Sequence, residues 1–216
     1  MKKVYYLEEL QMFRTNLRNA VAKYLSVTAF QDKWEKDQKI GAGYFYELTY
    51  APILSFFREH QPLSEALETK VALIFSWNPT ICKITSDRFT QAKNELAALE
   101  STRKRLNNIE ILNLDTDKIL RELWHPVKKA TSSRDLTPGV SVTKFLHFSF
   151  PHIFPMIDLN TMKGLYGKTV NLKWYSIFLS DWKNLYQQSK ASFDQISKAV
   201  NMPVTRVLDI MLFTPR

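Results

Sequence analysis

The stretch TPGVSVTKFLHFSFPHIFPMIDLN, residues 137–160, decides how this chain is interpreted. A Pro-Gly pair at 138–139 is a turn signal, and the apolar residues 141–148 that follow have the composition of a short buried helix. A loop bracketed by prolines, 151–155, then leads to the single carboxylate of this stretch, Asp158. The order of turn, helix, loop and carboxylate therefore predicts a functional site around Asp158.

Asp158 follows an apolar run, Phe154-Pro155-Met156-Ile157. Removing a carboxylate from water is costly unless the group is paired or used, so Asp158 is a candidate functional residue. The alternative is that Asp158 only caps the helix predicted over 159–166, since Asp is a favoured N-cap residue. We expect Asp158 at the N-terminal end of that helix, facing a cleft that the 138–148 segment also lines.

Composition places the chain among ordinary globular proteins, with 45% hydrophobic and 24% charged residues in a length of 216. We expect one compact helical unit over 1–216, with two lobes, 1–130 and 131–216, as the alternative division. One cysteine excludes a disulfide framework, and four histidines at no ligand spacing argue against a metal site. The sequence therefore predicts no metal and no cofactor.

Helical spacing of apolar residues predicts an all-α fold. Helices are predicted at 7–26, 44–58 with a kink or break at Pro52, 63–77, 87–106 with Ser86 as its cap, 115–124, 160–166, 172–188, 191–200 and 203–213. We expect an extended link at 109–114 and a surface loop at 128–139. No apolar run approaches the ~20 residues that span a bilayer, and acidic residues follow the N-terminus closely, so we expect no membrane partner and a cytoplasmic location.

Positive charge is concentrated in the second half of the chain. Residues 1–100 hold 13 Lys/Arg against 12 Asp/Glu, whereas residues 101–216 hold 17 against 9, a net of +8. A polyanion attracts such a surface through Coulomb steering and counterion release, which makes Lys128 and Lys129 candidate phosphate contacts. The alternative is a solvated basic face with no partner.

The same central stretch resembles the core of the helix-hairpin-helix DNA glycosylase superfamily, and within it the compact bacterial 8-oxoguanine-DNA-glycosylase-like proteins. The residues that carry the resemblance are 136–140, the helix 141–148 and Met156-Ile157-Asp158, with a weaker likeness at 206–213. Ser141 stands where the family hairpin usually has its second glycine. Residues 1–130 share only a helical character with the family.

This resemblance implies a DNA glycosylase that swings a damaged or modified base out of double-stranded DNA and cleaves its N-glycosidic bond. Asp158 would be the essential carboxylate. Pro138, Gly139, Val140 and Ser141 would bind phosphate at the hairpin, with Gly139 allowing a close backbone approach. The resemblance also implies a monomer that associates with the nucleoid when it acts.

The register of the hairpin decides what Lys144 does. Bifunctional members of the superfamily carry a lysine, which forms a Schiff base with the sugar, near the start of the helix. In one register that position falls near Val140, and the enzyme is monofunctional. In the other, with the helix one turn shorter, Lys144 is the amine. The sequence favours the first register and leaves AP-lyase activity open.

Further residues complete the candidate site. His147 and His152 are candidate DNA contacts, with a core histidine as the alternative for His147. Tyr44, Tyr46 and Trp77 are candidates to stack on a flipped base, with core packing as the alternative. Two rival functions stay open, namely a catalytically inactive helix-hairpin-helix DNA-binding protein and a basic helical protein-interaction domain.

Overall fold

The computed structural model of the chain describes residues 2–39, 42–76, 85–132 and 139–213, with side chains from residue 8 in the first range and from residue 47 in the second. Within these ranges the chain forms twelve α-helices and one 3₁₀ turn, with no β-strand. The all-α prediction is therefore confirmed.

The helices follow one another with short connections. Their bounds are α1 Lys2–Ala22, α2 Val27–Gln38, α3 Ala42–Glu59, α4 Leu67–Ser76, α5 Ser86–Ala98, α6 Glu100–Leu106, α7 Thr116–Thr131, α8 Val140–Ser149, α9 Leu159–Tyr166, α10 Leu172–Gln188, α11 Lys190–Val200 and α12 Val204–Leu212, with the 3₁₀ turn at Ile111–Asn113.

Side-chain caps fix where several of these helices begin, because a side-chain oxygen accepts a backbone N–H that has no partner within the helix. The capping residues are Ser26 for α2, Thr85 for α5, Asp115 for α7, Asp158 for α9 and Asn171 for α10. The predicted cap at Ser86 is thus one residue late. Helix α9 ends at Gly167, which has a φ of 61°, a conformation that glycine adopts without strain.

Several local predictions are wrong. Helix α2 was not predicted at all, although its first turn is capped and Phe30 is buried. Residues 111–113 form a 3₁₀ turn rather than an extended link. Helix α3 is not broken at Pro52. Helix α7 continues through Pro126 to Thr131, into the segment predicted as a surface loop. A proline inside a helix costs ~3 kcal/mol, but burial of one whole face of α7 outweighs it.

Helix α8 lies at the centre of the packing, in contact with α3, α4 and α7. Helix α12 packs against α1, α2 and α11, and α9 packs against α1. The buried apolar core runs from Phe13 on α1 to Leu212 on α12. The loop between α8 and α9 is consequently surrounded by helices from both ends of the chain, and Asp158 lies at its end.

Candidate active site

His147 fixes the middle of the loop that leads to Asp158. Its side chain is fully buried, with Nδ1 2.8 Å from the carbonyl oxygen of Phe154 and Nε2 2.8 Å from the hydroxyl of Tyr50. Burial lowers the pKa of His147 to about 3, so the ring is neutral at pH 7. Since a carbonyl only accepts, Nδ1 carries the proton, and Nε2 accepts from Tyr50.

Other buried hydroxyl groups hold the remainder of this loop. The contacts are Thr143 with the backbone of Ile157 (3.3 Å to the carbonyl oxygen), Tyr175 with the carbonyl of Pro155 (2.7 Å), and Thr205 with the carbonyl of Pro151. These donors come from α8, α10 and α12, three helices with side chains in the buried core. The loop is therefore pre-organised, which a catalytic carboxylate requires.

Asp158 caps α9 and also faces a cleft. Its Oδ1 accepts the backbone N–H of Thr161 at 2.6 Å, and among the described residues this is the one hydrogen bond that its side chain makes. The cap and the functional reading are compatible, because Oδ2 stays available to a ligand. The predicted position at a helix N-terminus, on a cleft shared with the 138–148 segment, is confirmed.

The cleft has a volume of about 80 Å³ and is partly open to solvent. Helices α2, α3, α8 and α12 and the loop before α9 contribute its walls. The lining residues are Trp34, Asp37, Gln38, Glu47, Lys144, Met156, Ile157, Asp158, Arg206, Asp209, Ile210 and Phe213. The lining thus combines apolar and aromatic side chains with ionisable groups.

Lys144 reaches this cleft from α8. Burial lowers its pKa to about 8, while the carboxylates of Asp209 and Asp158 act in the opposite direction and Arg206 acts with burial. A lysine with such a pKa is partly neutral near pH 8, and the neutral amine is the nucleophilic form. The structure therefore places an amine and a carboxylate on one cleft, as the resemblance implies for a bifunctional enzyme.

Arg206 on α12 is a buried residue that lines the cleft. It is 5% exposed, and its guanidinium donates to Asp209 on its own helix and to Glu47 on α3. The guanidinium carbon also lies 4.7 Å from the centre of the Tyr50 ring. Because the two carboxylates lie on different helices, Arg206 connects α12 to α3 beside the cleft.

Two aromatic residues that the structure describes line the cleft, Phe213 after α12 and Trp34 on the unpredicted helix α2. Its indole N–H is buried and finds no acceptor among the described residues. Tyr44, Tyr46 and Trp77, the predicted base-stacking residues, have side chains outside the described part of the structure. A signal for Trp34 was available, since Ser26 caps a segment with apolar residues at 27, 30 and 34.

Gly139 has a different role from the one predicted. An added Cβ atom would lie 2.5 Å from Cζ2 of Trp124, and the amide of Gly139 donates to the carbonyl of Val170 at 2.7 Å. The close approach that requires glycine is thus made to a core indole ring rather than to a phosphate. Ser141 is also buried, and its hydroxyl donates to the carbonyl of Thr131 at 3.0 Å. Val140 is half-buried at the start of α8, and Pro138 lies outside the described residues.

The remaining predicted DNA contacts do not line the cleft. His147 is completely buried, so its prediction as a DNA contact is corrected to that of a loop-holding core residue. His152 is half-buried, with Nε2 2.9 Å from the carbonyl of Leu106. Lys129 pairs with Glu95 at 2.5 Å, and Lys128 beside it is half-buried near the end of α7.

A wider groove adjoins the cleft and shares Asp37, Asp158 and Phe213 with it. Exposed Lys23 and Lys36 line this groove, and so do Asn160 and Thr161 in the first turn of α9. Backbone N–H groups at a helix N-terminus and lysines nearby suit an anionic backbone, although Asp32 and Asp37 also line the groove. The phosphate contacts predicted from the sequence, Lys128 and Lys129, do not line this groove.

Comparison of the chain with family models, with curated proteins and with solved structures finds no match. In the ranges that the structure describes, no three His, Cys, Asp or Glu side chains are grouped so that they would hold a metal ion. Nor does any helix there combine the length and the apolar character needed to cross a membrane.

Proposed function

We propose that this protein is a DNA glycosylase, which excises a damaged or modified base by cleaving its N-glycosidic bond. The observation that carries the proposal is the position of Asp158, held by a buried loop at the edge of a cleft that Lys144 also lines. The sequence resemblance to the helix-hairpin-helix superfamily, which the same stretch carries, supports the same function.

The cleft suits a nucleotide that has left the duplex. Trp34, Met156, Ile157 and Phe213 provide an apolar and aromatic wall on which a base stacks. Asp158 then lies beside the sugar, where its ionised carboxylate stabilises the positive charge that develops on C1′ as the bond to the base breaks. The pre-organised loop matters because the carboxylate does not have to be reoriented at the moment of reaction.

Lys144 decides between the two modes of the reaction. The hairpin register favoured by the sequence leaves Lys144 out of the chemistry and makes water the nucleophile. Its place on the cleft and its pKa of about 8 support the other register, in which its amine attacks C1′ and forms a Schiff base. We propose the second mode as the one to test first.

The test of the function is excision from defined DNA. The purified protein is incubated with duplexes that each carry one modified base at a known position, and abasic sites are revealed by alkaline cleavage. We expect cleavage at the modified position for at least one base and none in the unmodified duplex. Salt-sensitive DNA binding without excision for any base would instead support an inactive DNA-binding protein, and no DNA binding would support a protein-interaction domain.

A further inference from the structure

A second carboxyl group, Asp209, lies on the same cleft as Asp158 and Lys144, and no sequence motif drew attention to it. It lies on α12, one turn after Arg206, and its side chain is 17% exposed. The guanidinium of Arg206 donates to Oδ2 of Asp209, which holds the carboxyl group in place. Asp209 is therefore anchored by one oxygen and accessible from the cleft.

The charged groups around Asp209 come from every wall of the cleft. Arg206 lies on its own helix, Asp158 on the loop before α9, Lys144 on α8 and Glu47 on α3. The fifth group is Asp37 on α2, which pairs with Lys33 at 2.5 Å. Burial, together with the negative charge of Asp158, outweighs Arg206 and raises the pKa of Asp209 to about 6. Two carboxyl groups with different environments divide acid and base roles in many glycosidases.

We propose that Asp209 is the proton donor to the departing base, while Asp158 remains the ionised carboxylate that stabilises the sugar. This inference rests on the proposed function, and it adds a second residue that acts directly on the substrate. It is carried by the geometry of the cleft, where Asp209 faces the same space as Asp158 and Lys144 and is oriented by Arg206.

The proton balance of this step is closed. As the bond between C1′ and the base nitrogen breaks, its electron pair moves to the base, and the carboxyl proton of Asp209 passes to the base. The nucleophile that then adds to C1′, the Lys144 amine or water, becomes positively charged. It loses one proton to the carboxylate of Asp209, which restores the carboxyl group for the next turnover.

The experiment is the pH dependence of single-turnover excision, measured on the base that the wild type removes. Because the protonated form of Asp209 is required, the wild-type excision rate should fall as the pH rises through about 6. At higher pH the decrease should approach tenfold per pH unit. Asp209→Asn has no proton to give, so this falling limb should disappear and the rate below pH 6 should drop by ~10²-fold or more. An Asp209→Asn variant that keeps the wild-type limb overturns the proposal.

Asp181→Asn is the matched control, since Asp181 also has a raised pKa and an arginine partner, Arg14 at 2.7 Å, but does not line the cleft. We expect it to keep the wild-type limb. Should Asp209→Asn fail to fold, Asp209→Glu keeps a titrating carboxyl group and should displace the limb along the pH axis. An undisplaced limb contradicts the assignment. A wild-type protein that excises no base removes the proposed function itself and this inference with it, whereas an unchanged limb in Asp209→Asn removes only Asp209.

Discussion

Lys144 and Asp158 line one cleft, although they belong to different elements, α8 and the N-cap of α9. The distance between them along the chain is bridged by a loop whose carbonyl groups are held by Thr143, His147 and Tyr175. The backbone that carries Asp158 is therefore held in place relative to α8, which carries Lys144. This pairing is the structural basis for both the glycosylase proposal and the lyase mode.

The first prediction concerns covalent trapping through Lys144. Borohydride should trap the wild-type protein on DNA that contains the base it removes, because the reductant converts the amine–sugar Schiff base into a stable covalent bond. Lys144→Gln should abolish trapping, and Lys163→Gln, a change at an exposed lysine on α9 that does not line the cleft, should not. Since the pKa of Lys144 is lowered to about 8, trapping on DNA with a preformed abasic site, where no base has to be protonated, should accelerate as the pH rises from 7 to 9.

A wild-type protein that excises the base but is never trapped would show that water is the nucleophile. The register first favoured by the sequence would then be correct, and Lys144 would have only an electrostatic role.

The second prediction tests the packing of Gly139. Gly139→Ala places a methyl group 2.5 Å from the rigid ring of Trp124, so the ring and α8 have to separate. Overpacking of this kind costs ~1–3 kcal/mol, which thermal unfolding measures directly. Gly164→Ala is the control, because its Cβ meets no atom within 4 Å and alanine is the better helix former by ~1 kcal/mol. Equal stability of the two variants would contradict the close packing at Gly139.

The third prediction follows from the neutral state of His147. Its folded pKa of about 3 lies below the ordinary value of 6.5, so the unfolded chain binds a proton in this window and the folded chain does not. Because of His147, the free energy of unfolding should therefore decrease by ~1.4 kcal/mol per pH unit as the pH falls from 6.5 towards 3. Urea unfolding of the wild type and of His147→Gln across this window should show a shallower loss in the variant, although the variant is less stable at pH 7. Parallel pH curves would rule out a neutral buried His147.

The fourth prediction assigns phosphate contacts to the groove beside the cleft. Lys23→Gln combined with Lys36→Gln should weaken duplex binding equally for all sequences, because phosphate contacts carry no base information. Each lost contact should reduce the slope of log affinity against log salt by about 1. Lys93→Gln, an exposed lysine that pairs with Glu68 at 3.0 Å outside the groove, is the control. Unchanged affinity and slope in the double variant would place the DNA on another surface.

The sequence predicted the parts of the site that are continuous in the chain. A turn, an apolar helix, a proline-bracketed loop and Asp158 follow one another within 137–160, and each has a recognisable residue pattern. The position of Asp158 at the N-terminal end of α9, on a cleft shared with the 138–148 segment, was therefore predictable. Lys144 was also identified, because it lies in the same stretch.

The residues that complete the site come from distant segments, where local patterns say little. Trp34 lies on α2, which has a low apolar content and was not predicted. Asp209 lies in α12, most of whose residues are buried and apolar, so that the sequence pattern indicated only a core helix there. The sequence left His147 between a DNA contact and a core histidine for a related reason, and the structure shows the core histidine. Whether a histidine is exposed or buried depends on its tertiary neighbours, here Tyr50 and Phe154.

The most direct test of the account is the excision rate of Asp158→Asn under single-turnover conditions. Asparagine is as good an N-cap as aspartate, so the variant should fold with α9 intact, as thermal unfolding and circular dichroism would show. The account predicts that the rate falls by ~10²-fold or more, because the negative charge that faces C1′ is lost, while DNA affinity is unchanged or higher. Excision at the wild-type rate by a correctly folded Asp158→Asn would contradict the catalytic assignment and leave Asp158 as a helix cap alone.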